Sequence, residues 1–253
     1  MLPTVRKLCT VKVAIRARSH DGNFHPELFE ENLSSIRSGS IMRAEEIYDR
    51  YNIFPNLREH MYRVAAIGAF LCERLPEADS RNIASACLLH DMGNIIKFNF
   101  DRPPESIRIE NVEYWRSVRD EAIKKYGPDQ HIATIEIAKE IGTSRRTLEL
   151  INAVGFTFAR ENAASDDFGK KICAYADMRV APWGVASLGE RLKDLDMRYK
   201  DHPKRTEEFF GAQAECVREI ERQLCERCGM VPEAISEEAI SSRIAPLRDF
   251  EIF

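Results

Sequence analysis

Long apolar runs and an excess of basic residues are both missing from this sequence of 253 residues. The longest stretch without a charged or strongly polar side chain lies around AAIGAFLC, far short of the roughly 18 to 20 residues that a membrane-spanning helix needs. Lys and Arg number 37 against 41 Asp and Glu, so the net charge of -4 gives no general attraction to nucleic acid or to an anionic membrane. We therefore expect no membrane span and no long nucleic-acid partner, which leaves small molecules as the expected ligands.

A complete zinc-binding pattern is missing as well. The CERC motif at Cys225 to Cys228 has no second pair of Cys or His residues after it to complete four tetrahedral ligands. Cys72, Cys87 and Cys173 stand among apolar residues, as small buried side chains do in a reducing compartment. Residues 1–20 carry five Lys or Arg and no acidic residue, which we interpret as a basic tail or an early start codon rather than a transit peptide. These features predict a cytoplasmic protein.

Helical periodicity dominates the rest of the sequence. Apolar residues recur at steps of three and four from Leu57, which predicts a helix that Pro76 closes. Asp79 or Ser80 is the expected N-cap of a second helix that ends near Gly93. Further helices are predicted at about 41–51, 110–126, 130–142, 145–154, 169–180, 187–200, 205–228 and 233–243, and an alternating strand pattern of useful length is present only at residues 10–16. The predicted fold class is all-α.

The sequence divides into three segments. Residues 1–40 are predicted as an N-terminal extension, residues 41–203 as one helical domain, and residues 204–253 as a C-terminal helical extension. The extension begins with an amphipathic pattern over residues 204–228, whose apolar stripe needs a partner surface. That surface is either the core of the same chain or another subunit, so a homodimer stays open.

Two histidines and two aspartates fall at predicted inward-facing positions of three helices. His60 lies on the apolar side of the first helix, His90 and Asp91 end the second, and Asp177 adjoins an apolar stripe in KKICAYADMRV. Taken singly, an inward histidine is more often a hydrogen-bonded core residue, and an aspartate near a helix end is usually a cap. A divalent cation, however, satisfies all four at once, and it leaves coordination positions for water.

The order of these residues resembles a known family. His60, then the doublet His90-Asp91, then Asp177, together with HDMGN and the segment YADMRVAPWGVASLGERLKDLDMRY, is similar to the HD-domain metal-dependent phosphohydrolase superfamily over roughly residues 55 to 200. The resemblance implies an HD-domain helical bundle in which these four residues hold a divalent metal ion, of which Mn, Fe, Co, Ni, Zn and Mg all remain open. It implies in addition that Asp91 orients a water for phosphoester hydrolysis.

The sequence departs from the family after the doublet. Members often have Glu or Lys three residues after the aspartate of the doublet, whereas this chain has Asn94. Asn94 cannot act as a general base, but its amide can hydrogen-bond a phosphate or a water. Lys97, one turn on, is a candidate for the missing cation, and its alternative is a solvated surface lysine. We include Asn94 and Lys97 with Asp91 as candidate catalytic residues.

The number of metal ions depends on His131. This residue opens a predicted helix and matches a position where dinuclear members of the family place an extra histidine, but their second extra histidine has no counterpart near INAVGF. We therefore expect one metal ion per chain, with His131 contacting substrate phosphate or a water on the metal. The alternative is a plain surface position at a helix start. The GYP signature of cyclic-dinucleotide phosphodiesterases is absent, which disfavours such a substrate.

Two arginines are candidates for binding the substrate. Arg63 follows His60 by one turn and Arg179 follows Asp177 by two residues, so both are predicted at the rim of the site, with surface arginine as the alternative. The predicted function is hydrolysis of a small phosphomonoester or nucleotide. Two other interpretations stay open: a non-catalytic HD module that binds a nucleotide or protein partner around a structural metal, and a purely structural helical protein.

Overall fold

A computed structural model describes residues 41–101, 109–200 and 206–252 of the chain. Eleven α-helices make up most of this described part, so the prediction of an all-α fold is confirmed. In chain order they are α1 (Ala44–Arg50), α2 (Pro55–Cys72), α3 (Ser80–Leu89), α4 (Val112–Tyr126), α5 (Gln130–Ile141), α6 (Arg145–Ala153), α7 (Ala159–Ala164), α8 (Phe168–Met178), α9 (Leu188–Tyr199), α10 (Glu207–Cys228) and α11 (Glu237–Arg248). No described helix is both long enough and apolar enough to cross a membrane.

Four two-residue strands lie in the described part of the chain. The first, β1 (Met42–Arg43), pairs antiparallel with β4 (Glu251–Ile252), which joins the two ends of the described chain. Directly after α8, β2 (Val180–Ala181) and β3 (Gly184–Val185) form a small hairpin. Ladders of two residues carry no alternating pattern, which is why the sequence predicted none of them. The strand predicted at residues 10–16 lies outside the described residues.

Side-chain caps define most helix starts. Asp79 caps α3 by accepting a hydrogen bond from the Asn82 N–H, and Asp129 and Ser187 cap α5 and α9 in the same way. The helix predicted at 233–243 is displaced to Glu237–Arg248, because Ser236 is its N-cap and residues 232–234 form a short 3₁₀ helix instead. Helix α7 was not predicted at all, since six residues are too few to show a helical period.

The core lies around α2. Its buried residues pack against α3, α8 and α11, and residues of α10 and α11, such as Ile220, Leu224, Ile240 and Leu247, belong to the same apolar cluster as Val64 of α2. The C-terminal segment therefore packs back on the core of its own chain, one of the two arrangements that the sequence left open. At about 25 cal/mol per Å² of apolar area, burying such side chains is the main term that stabilises this arrangement.

A bidentate ion pair fixes the start of α8. The Asp167 carboxylate accepts hydrogen bonds from the N–H groups of Gly169 and Lys170, and both its oxygens accept from Arg146 on α6, at 2.7 and 2.8 Å. The hydrogen bonds from Arg146, with the backbone N–H of Lys170, outweigh burial and hold the pKa of Asp167 below its usual range. The pair thereby sets the direction of the helix that ends at Asp177.

We expect Asp167→Asn to lower the free energy of unfolding by about 1–2 kcal/mol at pH 7, since it removes a charged cap and a charge-assisted pair. Folding lowers the pKa of Asp167 below the value of about 3.9 that an aspartate has in the unfolded chain. The carboxylate therefore stabilises the fold at pH values above about 3.9, and this stabilisation is lost as the pH falls through the pKa of the folded state. Thermal unfolding at pH 7, 5 and 3 measures this. Asp166→Asn, at the exposed neighbouring position, is the matched control. An equal loss at pH 7 and pH 3 would contradict the ionic origin.

Candidate metal centre

Three helices bring His60, His90, Asp91 and Asp177 to one point. His60 lies on the second turn of α2, the doublet follows the last residue of α3, and Asp177 is the penultimate residue of α8. His60 Nε2 lies 3.3 Å from His90 Nε2 and 3.1 Å from Asp177 Oδ1. Asp91 Oδ2 lies 3.6 Å from His60 Nε2 and 3.7 Å from His90 Nε2. Two imidazoles and two carboxylates therefore face each other across a few ångströms.

The geometry of this cluster fits a metal ion. Ligand atoms of His60, His90 and Asp91 all lie within 4.8 Å of one another, and Asp177 Oδ1 stands against both imidazoles. His90 Nδ1 lies 2.8 Å from the Cys87 carbonyl oxygen, which can only accept, so Nδ1 carries the proton of that bond. A neutral His90 ring then presents the lone pair of Nε2 to the other three residues, as a metal-binding histidine does.

The pKa values of His90 and Asp177 are both shifted in favour of the charged forms. Burial lowers the pKa of His90, but the charges of Asp91 and Asp177 oppose this and raise it to about 9. Burial likewise raises the pKa of Asp177, yet hydrogen bonds with His60 and His90 keep it well below its usual range. The carboxylates of Asp91 and Asp177 lie close together in this partly buried cluster, so they require positive charge between them. Protons on the histidines or a divalent cation can provide it.

Gly93 allows the doublet to sit against the first turn of α5. A Cβ atom at this position would overlap the carbonyl oxygen of Gln130 and lie 2.8 Å from both Ala133 Cβ and Thr134 N. The Gly93 N–H donates to Thr134 Oγ1 at 2.9 Å. The turn that carries His90 and Asp91 is therefore held directly on α5.

His131 occupies that same first turn of α5. Its Nε2 lies 3.0 Å from Asn152 Oδ1 on α6, and its ring centroid lies 5.9 Å from that of Phe158. Thr134, one turn further on, contacts Gly93, so the start of α5 lies against the turn that carries the doublet. The contact with Asn152 was not predicted from the sequence. A role for His131 in contacting substrate stays a prediction.

A short 3₁₀ helix, Asn94–Lys97, carries the two other candidate catalytic residues. The Asn94 side chain is buried directly after the doublet, and its amide makes no hydrogen bond with any residue that the structure describes. Lys97 is exposed at the end of the same element. Asn94 is thus placed to bind a group from outside the chain, whereas the exposure of Lys97 fits a solvated lysine as well as a substrate contact.

Arg179 is not at the rim of the site, so its prediction as a substrate-binding residue is wrong. Its guanidinium is buried and donates to the Ala186 carbonyl at 2.7 Å and to the Tyr175 hydroxyl at 2.8 Å. It further donates to the carbonyls of Pro232 and Ile235, both at 3.1 Å. The Pro232 carbonyl also accepts from the Ile235 N–H at 3.2 Å, whereas the buried arginine is the donor for the Ala186 and Ile235 carbonyls.

Arg63 is held by two carboxylates. Its Nε donates to Glu237 Oε1 at 2.8 Å, and its Nη1 lies 3.7 Å from Glu59 Oε2 on the preceding turn of α2. The sequence did not indicate Glu237, because this residue is 174 positions away from Arg63 and belongs to the C-terminal segment. The Arg63 guanidinium is therefore tied to the C-terminal segment of the chain.

Comparison with protein families matches residues 57–178 to the HD domain. Comparison with curated proteins and with solved structures gave no match. The matched span begins on α2 and ends with α8, and it contains His60, the His90-Asp91 doublet and Asp177 in the order that the resemblance required. Residues 57–178 of this chain are therefore an HD domain.

Proposed function

We propose that this protein is a divalent-metal-dependent phosphohydrolase that acts on a small phosphomonoester or nucleotide. The observation that carries the proposal is the convergence of His60, His90, Asp91 and Asp177 within an HD domain. Members of this superfamily are generally phosphohydrolases. The site lies at the surface end of three helices, where each of these residues except His90 keeps part of its side chain accessible.

The donor set suits a cation of the first transition series or Mg²⁺, and the four residues would hold one ion. When bound, such a cation lowers the pKa of a neighbouring water toward roughly 7 and neutralises charge on phosphoryl oxygens. Asp91, whose Oδ2 faces the imidazoles, has its second oxygen left to orient the attacking water. Asn94 donates a hydrogen bond from its amide to a phosphoryl oxygen. Attack of water on phosphorus breaks the ester P–O bond and releases phosphate and an alcohol.

Three finer features belong to the same proposal. A net charge of -4 favours small substrates over long nucleic acids, and a nucleotide is the preferred class. One metal ion per chain is the expected number, and the contact of His131 with Asn152 rather than with a second histidine supports it. The buried cysteines Cys72, Cys87 and Cys173 are free thiols, which supports a cytoplasmic location.

Elemental analysis of the purified protein, followed by a hydrolysis screen with Mn, Fe, Co, Ni, Zn and Mg, tests this function. We expect close to one equivalent of a divalent metal and release of inorganic phosphate from nucleotides or simple phosphomonoesters. Hydrolysis of RNA or DNA with no activity on these small compounds would overturn the substrate class. A bound metal with no hydrolysis of any phosphoester would favour the non-catalytic HD module, to which Asn94 in place of Glu or Lys already lends support.

A further inference from the structure

We propose that Glu237, which lies outside the HD-domain match, positions Arg63 to bind a phosphate group of the substrate. The proposal rests on the proposed function, and it adds a residue of the C-terminal segment to the substrate site. Glu237 is the first residue of α11, whereas Arg63 lies one turn after His60 on α2. The carboxylate of Glu237 acts on the substrate only through Arg63, so it is a positioning residue and not a catalytic one.

The Arg63 guanidinium lies beside the peptide that leads into His60. Its Nη1 donates to the Glu59 carbonyl oxygen at 3.3 Å, and that carbonyl belongs to the peptide bond between Glu59 and His60. Long side chains on a helix lean toward its N-terminus, which is the direction that this contact shows. The guanidinium is therefore next to the turn of α2 from which His60 reaches the metal centre.

Glu237 joins this guanidinium to the element that follows Asp177. Its Oε1 accepts from Arg63 Nε at 2.8 Å, and its Oε2 accepts from the Val185 N–H at 3.0 Å. Val185 lies on β3 of the hairpin that comes directly after α8. The Glu237 carboxylate thus connects α2, which carries His60, with the β2–β3 hairpin, which follows Asp177 in the chain.

The backbone of the hairpin leaves space for the Glu237 carboxylate. Gly184 has φ of +132°, a backbone conformation that favours glycine, and a Cβ atom there would lie 3.2 Å from Glu237 Oε2. The glycine therefore both permits the tight hairpin and leaves room for the carboxylate. A surface ion pair alone is usually worth little, but here two hydrogen bonds in different directions fix one carboxylate.

Arg63 keeps a donor for a ligand. Nε and Nη1 are engaged, whereas Nη2 makes no hydrogen bond with any residue that the structure describes. Glu59 is shared with Arg248, whose Nη2 lies 3.0 Å from Glu59 Oε1 and whose Nη1 lies 3.4 Å from Glu45 Oε1. Two arginines thus stand among the carboxylates of Glu45, Glu59 and Glu237, and an anion bound here depends on the cation of the metal centre as well as on Arg63. A guanidinium held in a fixed orientation beside a metal centre is suited to a phosphate oxygen.

Binding of inorganic phosphate to the metal-loaded full-length protein tests the proposal, by calorimetric titration of wild type, Glu237→Gln and Glu238→Gln. Glutamine keeps the size of the side chain and still accepts from Val185, so circular dichroism should be unchanged. We expect Glu237→Gln to weaken phosphate binding roughly three- to tenfold without loss of metal. Glu238→Gln is the matched control, because it makes the same change in charge at the next, exposed position and should bind as wild type does.

A double-mutant cycle with Arg63→Gln separates positioning from a structural role. If Glu237 acts through Arg63, then Glu237→Gln has no further effect on phosphate affinity in the Arg63→Gln background. Equal effects in both backgrounds, unchanged affinity in Glu237→Gln, or a wild type that binds no phosphate would each overturn the inference. If Glu237→Gln does not fold, Glu237→Asp replaces it in the cycle, because the shorter carboxylate keeps the charge but changes the position of Arg63 and should weaken phosphate binding only in the presence of Arg63.

Kinetics distinguish this inference from the proposed function. Where a substrate is hydrolysed, Glu237→Gln should raise KM and leave kcat nearly unchanged, because the reacting groups stay in place. A fall in kcat at unchanged KM would overturn the positioning role. If no phosphoester is hydrolysed and the phosphate-binding pattern nevertheless holds, the proposed function fails and the role of Glu237 stands.

Discussion

Replacing Asp177 by asparagine should abolish stable metal binding and lower phosphohydrolase activity by about a hundredfold or more. Asp177 Oδ1 stands 3.1 Å from His60 Nε2 and 3.5 Å from His90 Nε2, so it faces both imidazoles of the cluster. Asparagine keeps the size of the side chain but removes a negative charge that the cation requires. A cation contributes several kcal/mol to the stabilisation of transition-state charge, and each 1.36 kcal/mol corresponds to a factor of ten in rate.

Metal content by elemental analysis and initial rates with added metal measure this effect. Asp166→Asn is the matched control, because it makes the same chemical change on an exposed residue just before α8. The helical circular dichroism of both variants should equal that of wild type. Retention of full metal content and activity by Asp177→Asn would contradict the four-ligand site, whereas loss in both variants would indicate a general effect of charge.

Local patterns predicted the helices and the polar cluster well. The predicted cap Asp79 precedes apolar periodicity and lies directly before the helix start that it defines. His60, the His90-Asp91 doublet and Asp177 were found in the same way, because each is a polar residue on an apolar helical face. Their meeting at one point needed the packing of three helices, which the resemblance to the HD-domain family supplied.

Contacts between distant segments could not be predicted from such patterns. Glu237 and Arg63 are each ordinary charged residues on amphipathic helices, and only the packing of α11 on α2 brings them together. Arg179 was misplaced for the same reason, since the carbonyls that it binds become its neighbours only when residues 232–235 fold over the hairpin. Residues that bridge distant elements are therefore the part of this site that required the structure.

Gly93→Ala should lower the free energy of unfolding by about 3 kcal/mol and reduce metal affinity as well. The added Cβ would overlap the Gln130 carbonyl oxygen and lie 2.8 Å from Thr134 N, and backbone atoms of a packed helix cannot turn aside as a flexible side chain can. The doublet or α5 must therefore move. Either movement displaces His90 and Asp91 relative to His60, so the loss of stability and the loss of metal affinity should occur together.

The backbone conformation of Gly93 shows why a glycine is needed there. The position requires the absence of a Cβ atom next to α5, and it does not require a backbone conformation that only glycine adopts. Its φ of -90° and ψ of -1° are accessible to other residues, and α3 already ends at Leu89. Gly93 is therefore needed to leave space for α5, and not, as the sequence suggested, to end the helix.

Gly211→Ala is the control for this variant. Nothing lies within 4 Å of a Cβ atom added at Gly211 inside α10, so the substitution should stabilise the protein by about 0.5–1 kcal/mol. Urea unfolding and metal titration of both variants decide the question: an unchanged stability in Gly93→Ala would show that α5 does not press on the doublet.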